Sequence, residues 1–394
     1  MSTSPRAVSD LLDLDDAFSS EERALRDGVR EFVDRRIRPN IARWYEDAVF
    51  PREIVPEMAE LGLLGMHLEG YGCAGRSAVE YGLAMQELEA GDSGLRTFVS
   101  VQGSLAMSAI ATWGSEEQKQ RWLPGMAAGE LIGCFGLTEP SAGSDPGSMV
   151  TRAVRDGEGW VLTGVKRWIG LASIADVAVI WAKADDGAGE RVRGFLVPTS
   201  SAGFTATPIE PKLSMRASIQ CDITLRDVRL PADAVLPGGA GLKGPFSCLN
   251  EARYGIVWGV LGAARDSFDA ALAYSRERLQ FDKPLAAYQL TQDKLVRMAL
   301  EIQKGQLLAL RIGRLKDAGR LERHMISVGK LNNCRIAIDV AREARTILGG
   351  NGITIDHSPL RHANNLESVR TYEGTDEVHT LVVGEHLTGH AAYR

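Results

Sequence analysis

The stretch Cys134-Phe-Gly-Leu-Thr-Glu-Pro-Ser-Ala-Gly-Ser-Asp145 marks a change in the pattern of the chain. Before it, in residues 19–129, apolar residues such as Leu25 and Phe32 recur at helical spacing. After it, as far as Gly238, short apolar runs alternate with Gly, Asp and Pro turns. Such runs are typical of strands in a small β domain rather than of a βαβ series.

Helical patterns return after Pro245 and continue to the end of the chain. Strands are expected at residues 134–138, 160–163, 177–183, 192–197 and 219–225. Later helices are expected at residues 250–281, 286–316, 322–348 and from Asp376. Four helices joined by short loops predict a bundle. The sequence therefore predicts an α+β protein with a helical domain (1–131), a β domain (132–240) and a helical bundle (241–394).

Residues that favour helix starts occur in the N-terminal region. Ser19 with Glu22, and Ser115 with Gln118, have the spacing of a capping box. Pro51 stands before a further amphipathic segment, and proline is favoured where a helix begins.

Composition excludes several classes of protein. A chain of 394 residues exceeds what one core usually fills, and 44% hydrophobic with 24% charged residues is ordinary for a globular protein. The formal net charge is -6 and no run of Lys or Arg stands out, so nucleic acid is not expected as a partner. No apolar stretch is long enough to cross a bilayer.

The N-terminus and the cysteines suggest a cytoplasmic protein. Residues 1–6 lack the apolar centre of a signal peptide. The five cysteines have no CxxC spacing, which argues against a zinc site and against a disulfide framework. We expect buried, unreactive thiols.

Two motifs match ligand-binding patterns but are interpreted as a linker and as surface histidines. Gly239-Ala-Gly-Leu-Lys-Gly244 matches GxGxxG, but Pro237 and Pro245 flank it and no strand leads directly into it, so it is interpreted as a linker. His386 and His390 are four apart on an expected helix, but no third metal ligand accompanies them, so they are interpreted as surface histidines and no metal is predicted.

Three other segments carry candidate functional residues. In Arg370-Thr-Tyr-Glu-Gly-Thr-Asp-Glu377, the carboxylate of Glu373 precedes a glycine and an expected helix, so it could project into a cleft. Leu137-Thr-Glu-Pro-Ser-Ala-Gly-Ser-Asp145 is by itself a polar turn with free N–H groups and hydroxyls. Gly349-Gly-Asn-Gly352 is by itself a helix C-cap.

Together these segments resemble the acyl-CoA dehydrogenase family. The matching motifs are FGLTEPSAGSDPGS (135–148), KRWI (166–169), RLQFDKPLAAYQ (278–289), LGGNGI (348–353) and TYEGTDE (371–377). They occur in the family's order and cover nearly the whole chain. Two more stretches, DSGLRTFVSVQGSL (92–105) and GPFSCLNEARYGIVWGVLG (244–262), resemble the glutaryl-CoA dehydrogenase branch.

The resemblance implies a fold, a cofactor and an assembly. It implies an N-terminal helical domain, a middle β-barrel domain and a C-terminal four-helix bundle in a homotetramer. FAD would lie between the β domain and the bundle, with part of its site from a neighbouring subunit. The substrate would be a short-chain acyl-CoA, and the expected electron acceptor is an electron-transfer flavoprotein.

The resemblance also implies roles for individual residues, with Glu373 as the base that removes the α proton. The cofactor-binding positions are Phe135, Leu137, Thr138, Gly143, Ser144, Trp168, Ile169, Gly170, Thr375 and Glu377, with Arg278, Phe281, Gln289, Leu348, Gly349 and Gly350 for the adjacent subunit's FAD. The substrate-binding positions are Ser144, Phe246, Asn250, Arg253 and Gly374 on the acyl-CoA, with Glu89, Arg96, Thr97, Ser100 and Tyr372 around a distal carboxylate.

The role of Arg96 distinguishes dicarboxylyl substrates from acyl groups without a second carboxylate. A dicarboxylyl substrate buries a second carboxylate, which is costly without a charged partner, and arginine offers a planar fork for it. The alternative is an Arg96 that pairs with Asp92 at the surface. With the first interpretation, the expected reaction is oxidative decarboxylation of glutaryl-CoA to crotonyl-CoA.

The reaction requires a base and hydrogen-bond donors from the protein. The cofactor accepts a hydride from Cβ, and the protein supplies a base for the α proton and donors for the thioester oxygen. A glutamate has an ordinary pKa of about 4.3, and exclusion of water on substrate binding should raise it. The resemblance implies that the backbone N–H of Glu373 is one of the donors.

One position departs from the branch. Trp168-Ile-Gly-Leu171 stands where Trp-Ile-Thr-Asn is usual, so the threonine hydroxyl beside the flavin is missing. Trp-Ile-Gly also occurs in short-chain acyl-CoA oxidases of this fold. An oxidase or flavin monooxygenase that uses O2, a non-decarboxylating dehydrogenase and a non-catalytic FAD-carrying protein therefore remain as alternatives.

Overall fold

The computed structural model describes residues 10–185, 187 and 189–393. The N-terminal part is helical, and the expected capping boxes at Ser19–Glu22 and Ser115–Gln118 are both formed. A third capping box, Ser77 with Glu80, was not anticipated. The helices are α1 (Ser20–Phe32), α2 (Ile41–Glu46), α3 (Val55–Glu60), α4 (Ala78–Gly91), α5 (Ser93–Val99), α6 (Ser108–Trp113) and α7 (Glu116–Ala127), with π-helical segments at Val33–Ile37 and Ser100–Met107.

The middle part forms one seven-stranded sheet in the order β1-β4-β2-β3-β7-β6, with β5 paired to β4. Its strands are β1 (Gly133–Gly136), β2 (Arg152–Asp156), β3 (Gly159–Gly170), β4 (Val177–Asp185), β5 (Glu190–Pro198), β6 (Phe204–Pro208) and β7 (Gln220–Leu230). β1 and β2 run parallel to β4, and the other pairs are antiparallel. β4 is almost entirely buried, in keeping with its unbroken run of apolar residues.

The sequence located five of these strands and missed two. β2 and β6 have exposed side chains at most positions and so give little hydrophobic signal. The strand expected at residues 160–163 extends to Gly170, because it pairs with β7 past two register shifts.

The C-terminal part is built around the long helix α8 (Lys243–Glu277). α8 packs against α4, α9, α10 and α11. The remaining elements are the hairpin β8 (Leu279–Gln280) and β9 (Lys283–Pro284), then α9 (Gln289–Asp317), α10 (Arg323–Ile347), α11 (Ser358–Val369) and α12 (Asp376–Thr388).

The expected bundle boundaries were wrong in two places. α8 begins at Lys243 and ends at Glu277, so the helix expected to reach Phe281 stops before it. Phe281 and Asp282 form the hairpin turn with φ of 50° and 66°. Positive φ at non-glycine residues leaves no clear signal in the sequence. α11, which has Pro359 in its first turn, was not expected as a separate helix.

The helical domain and the bundle meet along α4 and α8 at very short range. A Cβ atom on Gly262 would lie 1.8 Å from the carbonyl oxygen of Gln86, and one on Gly259 would lie 2.2 Å from Glu89 Oε2. Only glycine permits this approach. Buried Glu87 accepts hydrogen bonds from both Arg265 and Arg30, which ties α4 to α8 and α1.

The structure also places the glycine-rich segment and the two C-terminal histidines that were not expected to bind a ligand. Residues 239–242 form a loop that follows no strand directly, as expected for a linker, whereas Lys243 and Gly244 already belong to the first turn of α8. His390 lies beyond the end of α12, so the pairing of His386 and His390 on one helix was wrong, and His386 stacks on His324 with ring centroids 3.5 Å apart. Across residues 10–185, 187 and 189–393 no group of His, Cys, Asp and Glu is placed to hold a metal.

All five cysteines are unpaired, and four of them are buried. Within the part of the chain that the structure covers, no helix is long and apolar enough to cross a membrane.

Candidate active site

Glu373 lies in the turn between α11 and α12 and has a left-handed backbone. Its φ is 56°, and Gly374 follows with φ of 97°. A non-glycine residue in this region is uncommon, and such strain is concentrated at functional sites. The side chain is half-buried, and its Oε2 is buried without a hydrogen-bond partner among the described residues. The carboxyl group therefore faces the interior rather than bulk solvent.

Buried Lys330 and half-buried Arg253 hold this turn through its backbone. Lys330 Nζ on α10 donates to the carbonyl oxygens of Tyr372 (2.5 Å) and Gly374 (2.6 Å). Arg253 Nε on α8 donates to the carbonyl oxygen of Glu373 at 2.7 Å. Three successive carbonyl groups thus accept hydrogen bonds from the bundle.

The pKa of Glu373 is raised above its ordinary value. Burial is the largest cause, because it disfavours the charged carboxylate. Arg96, Lys330 and Arg253 act in the opposite direction and Glu89 adds to the rise, but the net shift is upward. A carboxyl group with a raised pKa is better matched to proton transfer near neutral pH.

Arg96 lies beside this turn and is completely buried. Its Nε donates to Glu89 Oε2 at 2.8 Å, and its Nη2 donates to the hydroxyl of Tyr372 at 2.5 Å. The Tyr372 hydroxyl also lies 3.1 Å from Thr97 Oγ1. Four of the five residues expected around a distal carboxylate are therefore brought together next to the candidate base.

Several polar atoms of this group have no partner in the described structure. They are Arg96 Nη1, Glu89 Oε1 and the hydroxyl of Ser100, which lies one helical turn beyond Arg96. Unsatisfied buried donors and acceptors are costly and demand an explanation. A ligand carboxylate would accept from Arg96 Nη1 and from Ser100.

The alternative in which Arg96 forms a surface pair with Asp92 is wrong. Asp92 is the N-cap of α5, where its side chain accepts from the backbone N–H of Gly94 at 2.7 Å. It also accepts from Asn365 at 2.9 Å and lies 3.3 Å from Arg361 Nε. Asp92 is thus engaged with α11, and Arg96 is left to the interior.

The cofactor-binding candidates of the β domain lie at the end of β1, in the turn after it and at the end of β3. Phe135 and Leu137 are buried, whereas Trp168 is 53% exposed with φ of 63°. Thr138 accepts from the backbone N–H of Arg167 through its carbonyl oxygen at 2.9 Å, which joins the two motifs. Ile169 is buried, and Gly143 and Ser144 are exposed with open space around Gly143.

Gly170 lies at the end of β3 against the π-helical segment. A Cβ atom here would be 3.3 Å from Val101 Cγ2 and 4.0 Å from the carbonyl oxygen of Ile219. A small side chain would therefore touch Val101 but would not collide with backbone.

The expected acyl-CoA residues of the bundle share one face of α8. Phe246, Asn250 and Arg253 are half-buried and recur at helical spacing. Asn250 Oδ1 accepts from Arg253 Nη1 at 3.2 Å. The loop that carries Ser144 approaches the start of α8, because a Cβ atom on Gly147 would lie 3.5 Å from Leu242.

A second group of candidates lies at the other end of α8. The backbone N–H of Arg278 donates to Tyr274, whose hydroxyl accepts from Asn351 at 3.0 Å. This contact brings the glycine turn after α10 to the hairpin. Arg278, Phe281, Gln289, Gly349 and Gly350 are exposed, and Leu348 is buried. Twenty-five residues of α8 separate Arg253 from Arg278, which is roughly 37 Å of helix.

Thr375 and Glu377 occupy the start of α12. The Thr375 side chain caps the helix by accepting from the backbone N–H of Val378 at 3.3 Å. Glu377 is exposed in the first turn, and its hydrogen bond with Thr375 is the largest cause that lowers its pKa.

Sequence reasoning missed three charged or titratable groups that shape the site. Lys330 is fully buried beneath Glu373, and buried Lys166 pairs with Glu139 at 2.8 Å under the Leu137–Asp145 turn. His379 is buried with its Nδ1 3.0 Å from Ser327 Oγ. Burial, with Lys330 and Arg253 nearby, lowers the pKa of His379 to about 3, so this ring is neutral. None of the three has a local signature in the sequence.

Family models match most of the chain. The N-terminal, middle and C-terminal domains of acyl-CoA dehydrogenase match residues 19–130, 134–228 and 239–388. A short-chain specific acyl-CoA dehydrogenase of Bos taurus mitochondria is 36% identical over 366 residues, covering 92% of this chain and 89% of the relative.

Solved structures agree with the sequence comparisons. A glutaryl-CoA dehydrogenase from Mycobacterium smegmatis, solved in complex with FADH2, is 59% identical over 98% of both chains with a TM-score of 0.95. A glutaryl-coenzyme A dehydrogenase solved with glutaryl-CoA is 31% identical with a TM-score of 0.90, covering 96% of this chain and 98% of its own. The three matched domains, the shared fold and the sequence identity together show that this chain belongs to the acyl-CoA dehydrogenase family.

Proposed function

We propose that the protein uses FAD to oxidise glutaryl-CoA and decarboxylate it to crotonyl-CoA. The observation that carries the proposal is the buried group of Arg96, Glu89 and Tyr372 beside Glu373, in which Arg96 keeps one unpartnered donor. An acyl chain without a second carboxylate has no use for such a donor. The likeness to glutaryl-CoA dehydrogenases at 59% and 31% identity supports the same substrate.

The chain's own residues suit FAD. Exposed Trp168 and open Gly143 and Ser144 offer a surface beside the ends of β1 and β3, where backbone groups can meet a ring system. When bound there, FAD supplies the acceptor for the hydride that leaves Cβ. Arg278 and its exposed neighbours lie at the other end of α8 from Arg253, and the family resemblance assigns them to the FAD of a neighbouring subunit. We therefore propose that they serve the FAD of another subunit in a homotetramer.

Glu373 is proposed as the base. Its carboxylate faces inward and takes the α proton, and the raised pKa brings it closer to the acidity of the thioester. The backbone N–H of Glu373 is proposed as one donor to the thioester oxygen, where negative charge grows as the proton leaves. Exclusion of water by the acyl chain strengthens both effects.

Arg96 is proposed to fix the far end of the substrate. Its Nη1 donates to the distal carboxylate, with Ser100 and the Tyr372 hydroxyl as further donors. Holding both ends of a five-carbon acyl group aligns Cα with Glu373. After oxidation, the bond to the distal carboxylate breaks and its electrons pass through the new double bond to the thioester, so CO2 leaves. The resulting dienolate takes up a proton at Cγ to give crotonyl-CoA.

Gly170 favours a second candidate, an acyl-CoA oxidase. The absence of a side chain leaves the end of β3 without the hydroxyl that the branch usually has there. In the first candidate, electrons pass to an electron-transfer flavoprotein; in the second, they pass to O2 and give hydrogen peroxide.

Anaerobic titration with a panel of acyl-CoAs tests the proposal. Glutaryl-CoA should bleach the flavin and yield crotonyl-CoA and CO2, detected by mass spectrometry, whereas butyryl-CoA should be poorer. Bleaching by butyryl-CoA alone would contradict the substrate. Peroxide formed at the rate of substrate oxidation in air, without added flavoprotein, would select the oxidase.

A further inference from the structure

We propose that Lys330 is a positioning residue that sets the direction of the Glu373 backbone N–H. The proposal rests on the function proposed above, in which this N–H faces the thioester oxygen. Lys330 is 1% exposed on α10, forty-three positions before Glu373. Its Nζ donates to the carbonyl oxygens on both sides of Glu373, those of Tyr372 at 2.5 Å and Gly374 at 2.6 Å.

The planarity of the peptide bond turns these contacts into an orientation. In a trans peptide the C=O of one residue and the N–H of the next point in opposite directions. The carbonyl of Tyr372 points at Lys330, so the N–H of Glu373 points away from Lys330. Lys330 thus fixes the direction of a donor that it does not touch.

The left-handed conformation of Glu373 requires such support. Its φ of 56° is uncommon for a non-glycine residue and persists only where surrounding contacts impose it. Arg253 holds the middle carbonyl, at 2.7 Å from the Glu373 oxygen. Arg253 alone fixes the next peptide plane, that of Gly374, and leaves the plane that carries the Glu373 N–H free to rotate.

The position of Lys330 is not explained by packing or by an ion pair. Burial lowers the pKa of its ammonium to about 8, so the folded protein tolerates an unfavourable environment for this group. Among the described residues, its hydrogen bonds go only to the backbone oxygens of Tyr372 and Gly374 in the Glu373 turn. A buried lysine whose hydrogen bonds go to two carbonyl groups of one strained turn indicates a role in holding that turn.

The test separates proton removal from hydride transfer. An acyl-CoA with sulfur in place of Cβ keeps an acidic α proton but has no hydride to lose. Deuterium uptake at Cα in D2O, followed by mass spectrometry, then reports on the base and the oxyanion donors alone. The variants are Lys330→Met, which removes all donors, and Lys330→Gln, which keeps an uncharged donor. Lys316→Met is the control, since Lys316 bonds to Glu251 on the same bundle.

Lys330→Met should slow exchange about a hundredfold, the usual effect of losing one oxyanion donor, with a change in analogue Kd of less than about threefold. Lys330→Gln should recover about tenfold of that loss, and Lys316→Met should stay within about twofold of wild type. Exchange by Lys330→Met within about threefold of wild type would overturn the proposal. So would a loss that is matched by weaker binding.

The pH profile supplies a second readout, which reports on the charge of Lys330 next to Glu373. The groups around Glu373 are Arg253, Lys330, Cys334, Arg96, Glu89, Tyr372, Asp376 and His379. Lys330 lowers the pKa of Glu373, so both variants should move the acid limb of exchange to higher pH. If Lys330→Met does not fold, Lys330→Gln decides, and exchange by that variant at the wild-type rate overturns the proposal. Failure of the wild-type protein to exchange the α proton or bleach with any acyl-CoA would instead refute the proposed function.

Discussion

Replacement of Arg96 should change the preference between two substrates. In the double variant Glu89→Gln/Arg96→Met, the cation is removed together with the charge of Glu89, which would otherwise stay buried without its partner at 2.8 Å. Two of the three guanidinium nitrogens are already engaged, by Glu89 and by Tyr372, so Nη1 is the one donor left for a ligand. The variant therefore removes a single charge-assisted hydrogen bond in a buried site.

The expected magnitude follows from that count. A hydrogen bond to a charged group contributes about 1.5–3 kcal/mol, and loss of one partner of a buried pair costs about 2–5 kcal/mol. A loss of about 3 kcal/mol corresponds to roughly 150-fold in kcat/KM. Butyryl-CoA has no distal carboxylate, so effects on folding, FAD content and the base cancel in the ratio of kcat/KM for glutaryl-CoA to that for butyryl-CoA.

Steady-state kinetics on both substrates measure this ratio directly. Glu89→Gln is the matched control, because it keeps Arg96 and removes a competing negative charge, and its ratio should stay level or rise. A ratio in the double variant that remains within about threefold of wild type would refute the role of Arg96, whatever the absolute rates.

Three further predictions concern the base, the flavin environment and stability. Glu373→Gln should keep FAD and acyl-CoA binding but lower the rate of flavin bleaching by about 10²- to 10⁴-fold. Because burial raises the pKa of Glu373, the wild-type rate of bleaching should fall as the pH drops through a value above the ordinary carboxyl pKa. An acid limb at or below about pH 4.3 would contradict this prediction. Gly170→Thr should slow reoxidation of the reduced flavin in air relative to Gly170→Ala, which adds a methyl group without a hydroxyl. Equal rates for the two variants would show that the hydroxyl does not affect the reaction with O2. Burial alone would raise the pKa of Glu87, but Arg265 and Arg30 outweigh it and lower the pKa from 4.5 to about 2. This lowered pKa contributes stability on the order of 3 kcal/mol above about pH 4.5, and that stability is lost as the pH falls toward 2. The Tm of Glu87→Gln should therefore fall less between pH 5 and pH 3 than the Tm of the wild type. Parallel curves of Tm against pH for the two proteins would count against the ion pairs.

The sequence predicted the capped starts of α1 and α7, and singled out Glu373 as the candidate base, because these features depend on local chemistry. A capping box needs only a serine and a glutamate or glutamine three residues later, and all the expected boxes formed. Glu373 could be singled out because a glycine follows it and a helix begins directly after. These features require no knowledge of the rest of the fold.

The surroundings of Arg96 were ambiguous in the sequence for a physical reason. Asp92 lies four positions earlier, which on a continuous helix would place it beside Arg96. Asp92 instead has φ of -165° and ψ of 141°, because it ends α4 and caps α5. An extended residue between two helices breaks the helical spacing, and the pairing with Glu89 follows from the bend.

Lys330 could not be found from the sequence, since its partners are backbone atoms of a distant segment. On α10 it follows Gly329 and precedes a leucine, a pattern that equally fits a lysine at the helix surface. Burial depends on how α10, α8 and the turn before α12 pack together, and no spacing rule within one helix reports on that packing. The same holds for Arg253, although the family resemblance had assigned it to the acyl-CoA.

The charges around Glu373 favour an acyl group with one distal carboxylate. Arg96, Arg253 and Lys330 carry three positive charges, and Glu89 and ionised Glu373 carry two negative ones, so these five groups have one positive charge in excess, while Asp376 is paired with Arg335 and Arg370. A distal carboxylate neutralises that excess on binding. When Glu373 then takes the α proton, the enolate oxygen replaces the charge that the carboxylate loses, and the site stays neutral throughout. A monocarboxylic acyl group such as butyryl leaves the excess positive charge uncompensated at both stages, in a region where an unpaired buried charge is costly. The electrostatics of the turn and the donor on Arg96 therefore select for the same substrate class, although they act at opposite ends of the acyl chain.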